Sequence, residues 1–315
     1  MSPGLRELFG RLRGLPARWP WSRHGLAVIR TSVAHDETGW TVHRDVPLRL
    51  KNLSFQELEA SVEDTSPGTA VGAFKIRLAG AQETRREAGN LVQQRYSSRG
   101  YQTSATMINP NVCTFAAYDE GRVAGTVSLR LDSRADGLAA DQLYRAEIDA
   151  MRARKLRICE FTRLAVDASA VSRPVLAGLF HTVYLFARNV RGYDFVVIEV
   201  NPRHVGYYRR SLGFEILGEE RHNLRVNAPA VLMGMSFRKI GENMHRYAGK
   251  ATRGPTASHG ATRMGVTKAA MQRSFYVYGF SPAEEAGILV RLRRIDRQSA
   301  RRAKPDAGYR TPASI

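Results

Sequence analysis

Cysteine is nearly absent: Cys113 and Cys159 are the two among 315 residues, too few for a disulfide framework or a paired-cysteine zinc site. The eight histidines are scattered, with no pair at metal-ligand spacing, so neither a metal nor a bound cofactor is expected. No apolar run approaches the roughly 18 residues that cross a bilayer. The N-terminal leucines are interrupted by Arg6, Arg11 and Arg13, unlike the apolar segment of a secretion signal, and a cytoplasmic location is expected. Acidic residues are also scarce, 29 Asp and Glu against 48 Lys and Arg, which leaves a net charge of +19. Such a field selects acidic partners: nucleic acid, anionic lipid or an acidic protein. Residues 241–315 alone hold 14 basic and 5 acidic residues.

Residues 1–23 form a basic amphipathic stretch (Leu5, Leu8, Phe9, Leu12), read as a frayed helix or a peripheral membrane contact. Ser54 to Glu57 is a capping box, and Ser66-Pro67-Gly68 breaks the chain, so residues 1–70 are expected as a partly helical or disordered extension. Periodicity then becomes α/β. Strands are predicted at 73–78, 112–118, 123–131, 158–166, 195–200, 214–217 and 230–237, with helices at 81–99, 140–154, 174–191 and from 201 to Gly213. Residues 71–240 are expected to form one domain, followed by a basic linker at 249–268. A helix at about 281–303 is signalled by Ser281, Pro282 and Glu284, and a disordered tail ends the chain.

The sharpest local pattern is Asn201-Pro-Arg203-His-Val-Gly-Tyr-Tyr208-Arg209-Arg210-Ser-Leu-Gly213-Phe214, a capped helix directly after a buried strand. It resembles the closing motif of the GNAT acyltransferase superfamily. The resemblance implies that Tyr208 protonates the departing thiolate, although one extra residue separates it from Gly-Phe. The bland alternative is a tyrosine that tethers a strand. The glycine loop with which acetyl-CoA enzymes wrap a pyrophosphate is missing; the stretch reads Val166-Asp-Ala-Ser-Ala-Val-Ser172-Arg173-Pro174. A helix N-terminus at Ser172 and Arg173 still accepts a single phosphate, which suits carrier-bound pantetheine better than free coenzyme A.

A third pattern, Glu160-Phe-Thr162-Arg163-Leu164, preceded by Arg130 on the hairpin, resembles the acyl-homoserine lactone synthases, GNAT relatives that use acyl carrier protein. Glu160 and Arg163 have an odd separation, so a regular strand would point them to opposite faces; they share one site only if the strand bulges or splays. Otherwise Glu160 and Arg130 would form a cross-strand ion pair. The lactone synthases' Asp-x-x-Asp acceptor motif is missing, which disfavours S-adenosylmethionine as acceptor.

The closer resemblance is to the bacterial long-chain N-acyl amino acid synthases. It rests on Arg-Tyr-x-x-Arg-Gly-Tyr (95–101), Gly-Thr-x-Ser-Leu (125–129), Glu-x-x-Arg-Leu-Ala-Val-Asp (160–167), Asn-Pro-Arg-His-x-x-Tyr-Tyr-Arg-Arg (201–210) and Arg-Val-Asn-Ala-Pro-Ala (225–230). It implies a GNAT-like fold, a mixed and mostly antiparallel sheet splayed between its two central strands and flanked by helices. The implied reaction moves a long-chain acyl group from the phosphopantetheine of an acidic acyl carrier protein to an amino acid amine.

Within that reading Glu160, Tyr208, Arg163 and Arg130 are the catalytic candidates. Leu164, Val166, Ser172, Arg173 and Asn201 would hold the pantetheine; Tyr101, Thr162 and Arg130 the substrate; Arg203, Arg209 and Arg210 the carrier. Three alternatives stay open: a coenzyme A-dependent acetyltransferase, a lactone synthase, and a nucleic-acid or anionic-membrane binding module on the same scaffold. His181, His204 and Cys159 are read as packing residues.

Overall fold

Along Phe74–Leu78 burial alternates residue by residue, as it must in a strand with one face on a core. The computed structural model describes residues 41–44, 74–101, 109–119, 121–133, 135–167, 172–250 and 268–302. The amphipathic stretch, the helix expected at Ser54, most of the linker and the tail lie outside these. Among the described residues nine strands are present: β1 (Thr41–Arg44), β2 (Phe74–Leu78), β3 (Val112–Asp119), β4 (Arg122–Leu131), β5 (Ile158–Val166), β6 (Phe195–Val200), β7 (Glu215–Ile216), β8 (Arg221–Asn223) and β9 (Ala228–Ser236). The order is β1-β2-β3-β4-β5-β6-β9-β7, with β8 on β9. Every pairing is antiparallel except β5 with β6, which is the mixed sheet the motifs imply.

The helices are α1 (Gln82–Ser97), α2 (Asp141–Ala153), α3 (Ser172–Tyr184), α4 (Pro202–Tyr207), α5 (Phe237–Tyr247), α6 (Lys268–Tyr276) and α7 (Pro282–Arg302). α3 lays Val175, Leu179, Phe180 and Val183 on the sheet, the stripe its 3.6-residue period predicts. α2 buries Tyr144, Ile148 and Met151 on the opposite face, with Ile158, Phe195 and Val197. α7 begins with the expected capping box: Glu284 accepts the Ser281 backbone N–H at 2.8 Å. No helix among the described residues is long and apolar enough to cross a membrane.

The expected domain limits need correction at both ends. β1, from within 1–70, pairs with β2 and extends the sheet. A boundary at 240 would fall inside α5, whose Phe237, Ile240 and Met244 are core residues. α6 begins where the linker was expected to end, and α7 is not an appended tail helix. Phe275, Tyr276, Phe280, Ile288, Leu292 and Ile295 belong to the same buried cluster as α3 and the sheet. Charge and Gly content around 249–268 masked this, because aromatic anchors follow directly after a polar stretch.

Candidate active site

β5 and β6 pair only at Ile158, Cys159 and Glu160, opposite Phe195, Val196 and Val197. Beyond Glu160 the two strands diverge, so the backbone groups on their facing edges have no strand partner. β5 also bulges: Ser128 faces Thr162 and Thr126 faces Ala165, so Val127 opposes both Arg163 and Leu164. Arg163 sits at φ 51°, a left-handed conformation unusual for a residue with a side chain. This is the irregularity that the odd Glu160–Arg163 spacing requires. Arg163 feels the positive charges of Arg130 and Arg225, and Arg225 also acts on Glu160.

The splay opens into a cavity of about 1180 Å³. Glu160, Thr162, Arg163, Leu164 and Val166 line it from β5, Glu199 and Asn201 from β6 and its end, and Tyr207 and Tyr208 from α4 and the turn after it. α1 turns a polar face to it (Gln82, Arg86, Asn90, Gln93), while Leu176, Phe180, Leu212 and Phe214 form an apolar wall.

Glu160 is 2% exposed. Its Oε2 accepts the Ala139 N–H at 2.6 Å and the Ala140 N–H at 3.3 Å, at the N-terminal end of α2. Burial, reinforced by the negative charge of Glu199, raises its pKa to about 7 against the opposing pull of Arg225 and the two N–H donors. The loop offering those donors is fastened by Arg152, which binds Asp132 and Asp141, while Asp141 accepts the Leu138 N–H at 2.7 Å.

Arg130 is the expectation that needs correction. It stands directly across from Glu160 in the register of β4 and β5, but forms no ion pair with it. Its guanidinium donates to the Gly137 carbonyl at 2.9 Å and pairs with Asp136 at 2.8 Å, and Arg130 is not part of the cavity wall. Carbonyls of the turn at 136–137 attract the fork more closely than the buried carboxylate does. Arg130 therefore fastens the loop that binds Glu160, and does not line the cavity.

Tyr208 begins a π-helical turn, Tyr208–Leu212, that continues α4. The Gly213 N–H reaches back five residues to the Tyr208 carbonyl at 3.0 Å, and Gly213 adopts φ 92° to return the chain to the sheet. The wider turn absorbs the one extra residue before Gly-Phe. The Tyr208 ring packs edge-on against Phe214 at 5.9 Å, and burial pushes its phenol well above the usual range. No protein group among the described residues hydrogen-bonds its hydroxyl, so it is not a strand tether.

Asn201 caps α4 by accepting the Arg203 N–H at 3.2 Å. Arg203 donates to the Tyr101 hydroxyl at 2.7 Å and stacks over its ring, bringing two predicted residues together at the rim; Tyr101 lines the cavity. Arg209 and Arg210 are exposed, as is Arg173 in the first turn of α3. Ser172 opens α3, and residues 168–171 lie outside the described structure. His181 and Cys159 are fully buried, and the Cys159 thiol is pushed well above its usual pKa, so it stays protonated. Among the described residues no group of three or more His, Cys, Asp or Glu is placed to hold a metal.

Sequence reasoning missed Glu199, Asn223 and Arg225. The signal was present: one carboxylate interrupts the apolar run Phe195–Val200, and a charge in a buried strand demands partners.

A GNAT-like sheet, splayed at its centre, sets a buried carboxyl and a tyrosine on one cavity, an arrangement suited to N-acyl transfer. Residues 87–236 match the model of a family described as N-acyl amino acid synthase FeeM, which shows over that span the resemblance carried by the motifs. The structure of FeeM, an N-acyl amino acid synthase from uncultured soil microbes, is 26% identical, with a TM-score of 0.51 over 54% of this chain and 95% of that chain. An N-acetyltransferase from Staphylococcus aureus Mu50 is 14% identical over 52% of this chain and 98% of that one, with a TM-score of 0.38. The AHL synthase LasI is 13% identical over 53% and 91%, with a TM-score of 0.39. No curated protein matches the chain.

Proposed function

We propose that this N-acyltransferase moves a long-chain acyl group from the phosphopantetheine thioester of an acidic acyl carrier protein to the amine of an amino acid. The observation that carries the reading is that Glu160 and Tyr208 line one cavity at the β5–β6 splay. An amine attacks a thioester only when unprotonated, and α-amino groups are mostly protonated at neutral pH. Glu160, with its pKa raised to about 7, is matched to accept that proton. The nitrogen lone pair then bonds to the thioester carbon. The unpaired edge of β5 at Leu164 and Val166 would receive the oxyanion on its N–H groups. Collapse breaks the C–S bond, the Tyr208 phenol gives its proton to the leaving sulfur, and the second proton that the nitrogen sheds on becoming an amide restores the phenol.

Pantetheine amides would pair with the open edges of β5 and β6 like an added strand. Arg163, half-buried in the cavity wall, offers a guanidinium for the acceptor carboxylate. The apolar wall of Leu176, Phe180 and Phe214 suits an acyl chain, and the exposed Arg203, Arg209 and Arg210 suit an acidic carrier. The FeeM match supports the amino acid as acceptor.

The test is mass spectrometry of the purified protein with long-chain acyl carrier protein and the twenty amino acids, beside a second reaction supplied with acyl- and acetyl-coenzyme A. An acyl amino acid formed from the carrier alone is expected. Product from coenzyme A alone would reassign the donor, and thioester left intact in both reactions would overturn the proposal.

A further inference from the structure

β6 reads Phe-Val-Val-Ile-Glu-Val, and the residue that breaks this apolar run, Glu199, lines the cavity. Its Oε2 accepts Asn223 Nδ2–H at 2.9 Å and a bond from the Arg225 guanidinium. Asn223 is itself buried, and its Oδ1 accepts the Arg225 backbone N–H at 2.9 Å, so the turn after β8 closes onto this carboxylate. The other oxygen is different. Oε1 is buried with no hydrogen-bond donor among the described residues, on a side chain only 10% exposed. A carboxylate oxygen is retained in such a place at a desolvation cost unless a donor arrives with a ligand. The parallel register sets Val197 beside Glu160, so Glu199, two residues on, shares the Glu160 face where the strands begin to part.

We propose that Glu199 is the ammonium-binding residue of the acceptor site, its Oε1 taking an N–H of the incoming amine and holding that nitrogen against Glu160. The inference rests on the acyl-transfer reading and names its acceptor subsite. Burial raises the pKa of Glu199 as it does that of Glu160, but Arg225 and Asn223 bond Glu199 directly and oppose the rise, whereas the bonds to Glu160 come from backbone donors; the ammonium proton therefore passes to Glu160 and Glu199 keeps its carboxylate. The ligand class is a cationic amine. A neutral hydroxyl nucleophile of the same shape brings no charge to offset two neighbouring carboxylates and is disfavoured. The other charged or titratable groups around the pair are Arg225, which acts on both, the buried Cys159 thiol beside Glu160 on β5, the Tyr144 phenol of α2, and Arg163 on β5 with Arg130 of β4 next to it.

The experiment titrates the whole protein by calorimetry with each of the twenty amino acids, and with the matching 2-hydroxy acid of any that binds. Wild type, Glu199→Gln and Glu199→Asp are compared, beside acyl-carrier turnover across pH. Wild type is expected to bind the amino acid at least about tenfold more tightly than the hydroxy acid. Glu199→Gln should lose about tenfold for the amino acid alone, with acceptor KM rising and donor KM unchanged. Glu199→Asp should recover part of the loss, which a merely structural role would not produce. The acid limb of the Glu199→Gln rate profile should move to lower pH, because the charge that raises the Glu160 pKa is gone. Equal wild-type affinity for amino and hydroxy acids, unchanged binding in Glu199→Gln, or no amino acid bound at all would overturn the subsite. The binding signature without any turnover would uphold the subsite and overturn the acyl-transfer reading instead.

Discussion

Glu160 and Tyr208 face one cavity but are held by unlike structures. Glu160 is gripped by polar contacts on sheet elements: the β4–β5 register, two N–H donors before α2, and a loop fastened by Arg130 and Arg152. Tyr208 rides a π-turn held by aromatic packing, Phe214 against its ring and Phe180, Phe275 and Tyr276 behind Phe214. The difference fits the roles proposed for the two groups. A carboxyl tuned to about pH 7 needs fixed dipoles and charges near it, because small displacements change its proton affinity. A phenol that gives up a proton only as a thiolate forms needs placement, and packing supplies placement without lowering its pKa. The two walls should therefore fail differently.

Breaking the polar wall has the largest expected effect. Glu160→Gln keeps the shape and both N–H contacts but removes the base, and turnover should fall by about 10²–10⁴. The rising limb of wild-type activity near pH 7 should vanish with it, as read from steady-state rates between pH 5 and 9. Stability carries an independent signature. The folded-state pKa of Glu160 is raised above its unfolded value, so its contribution is fully present below the ordinary carboxylate range and is lost as pH rises through about 7. Wild type should thus lose stability relative to Glu160→Gln across that window in urea titrations. A wild-type rate in the variant would remove Glu160 from the chemistry.

Tyr208→Phe sharpens the contrast, because it deletes only the hydroxyl. No partner among the described residues loses a bond, so thermal unfolding should be unchanged while turnover falls by about 10²-fold. Acceptor KM should hold, and a donor with a more acidic thiol, which needs no proton to leave, should recover part of the rate. A variant with normal turnover, or one that unfolds several degrees early, would make Tyr208 a packing residue instead.

Much of this was readable in the sequence, and the gaps have physical causes. Alternation and helical period located every core element from β2 to β6 to within a few residues, because those segments bury one face each. The odd spacing of Glu160 and Arg163 required an irregular strand, and Arg163 in the left-handed region supplies it. The extra residue after Tyr208 became a π-turn rather than a broken motif. Arg130 was misplaced because register fixes which residues face each other across two strands, whereas a long side chain follows the nearest unsatisfied carbonyls. The turn at 136–137 supplies those, and its conformation has no sequence signature. Glu199 was passed over because five apolar neighbours outvoted it in a strand assignment. α6 was lost because its anchors, Phe275 and Tyr276, come at its very end.

That last helix carries the subtlest prediction. α6 lies outside the residues matched by the FeeM family model, yet it packs along the π-turn and bonds it at Leu212. The fully buried Tyr276 donates its hydroxyl to the Leu212 carbonyl at 2.7 Å, satisfying one of the orphan acceptors that end the π-turn. Tyr276→Phe leaves that buried carbonyl without a donor at a cost of about 1–3 kcal/mol. Because the aromatic stack remains, the chain should still fold, with a lower urea midpoint. The π-turn would be free to relax toward ordinary α geometry, shifting Tyr208 relative to the leaving sulfur, so kcat should fall several-fold while both KM values hold. The acidic-thiol donor should again recover part of the rate, as it does for Tyr208→Phe, and the double variant should be no slower than Tyr208→Phe alone. Losses that instead multiply would separate α6 from Tyr208 and reduce its role to stability.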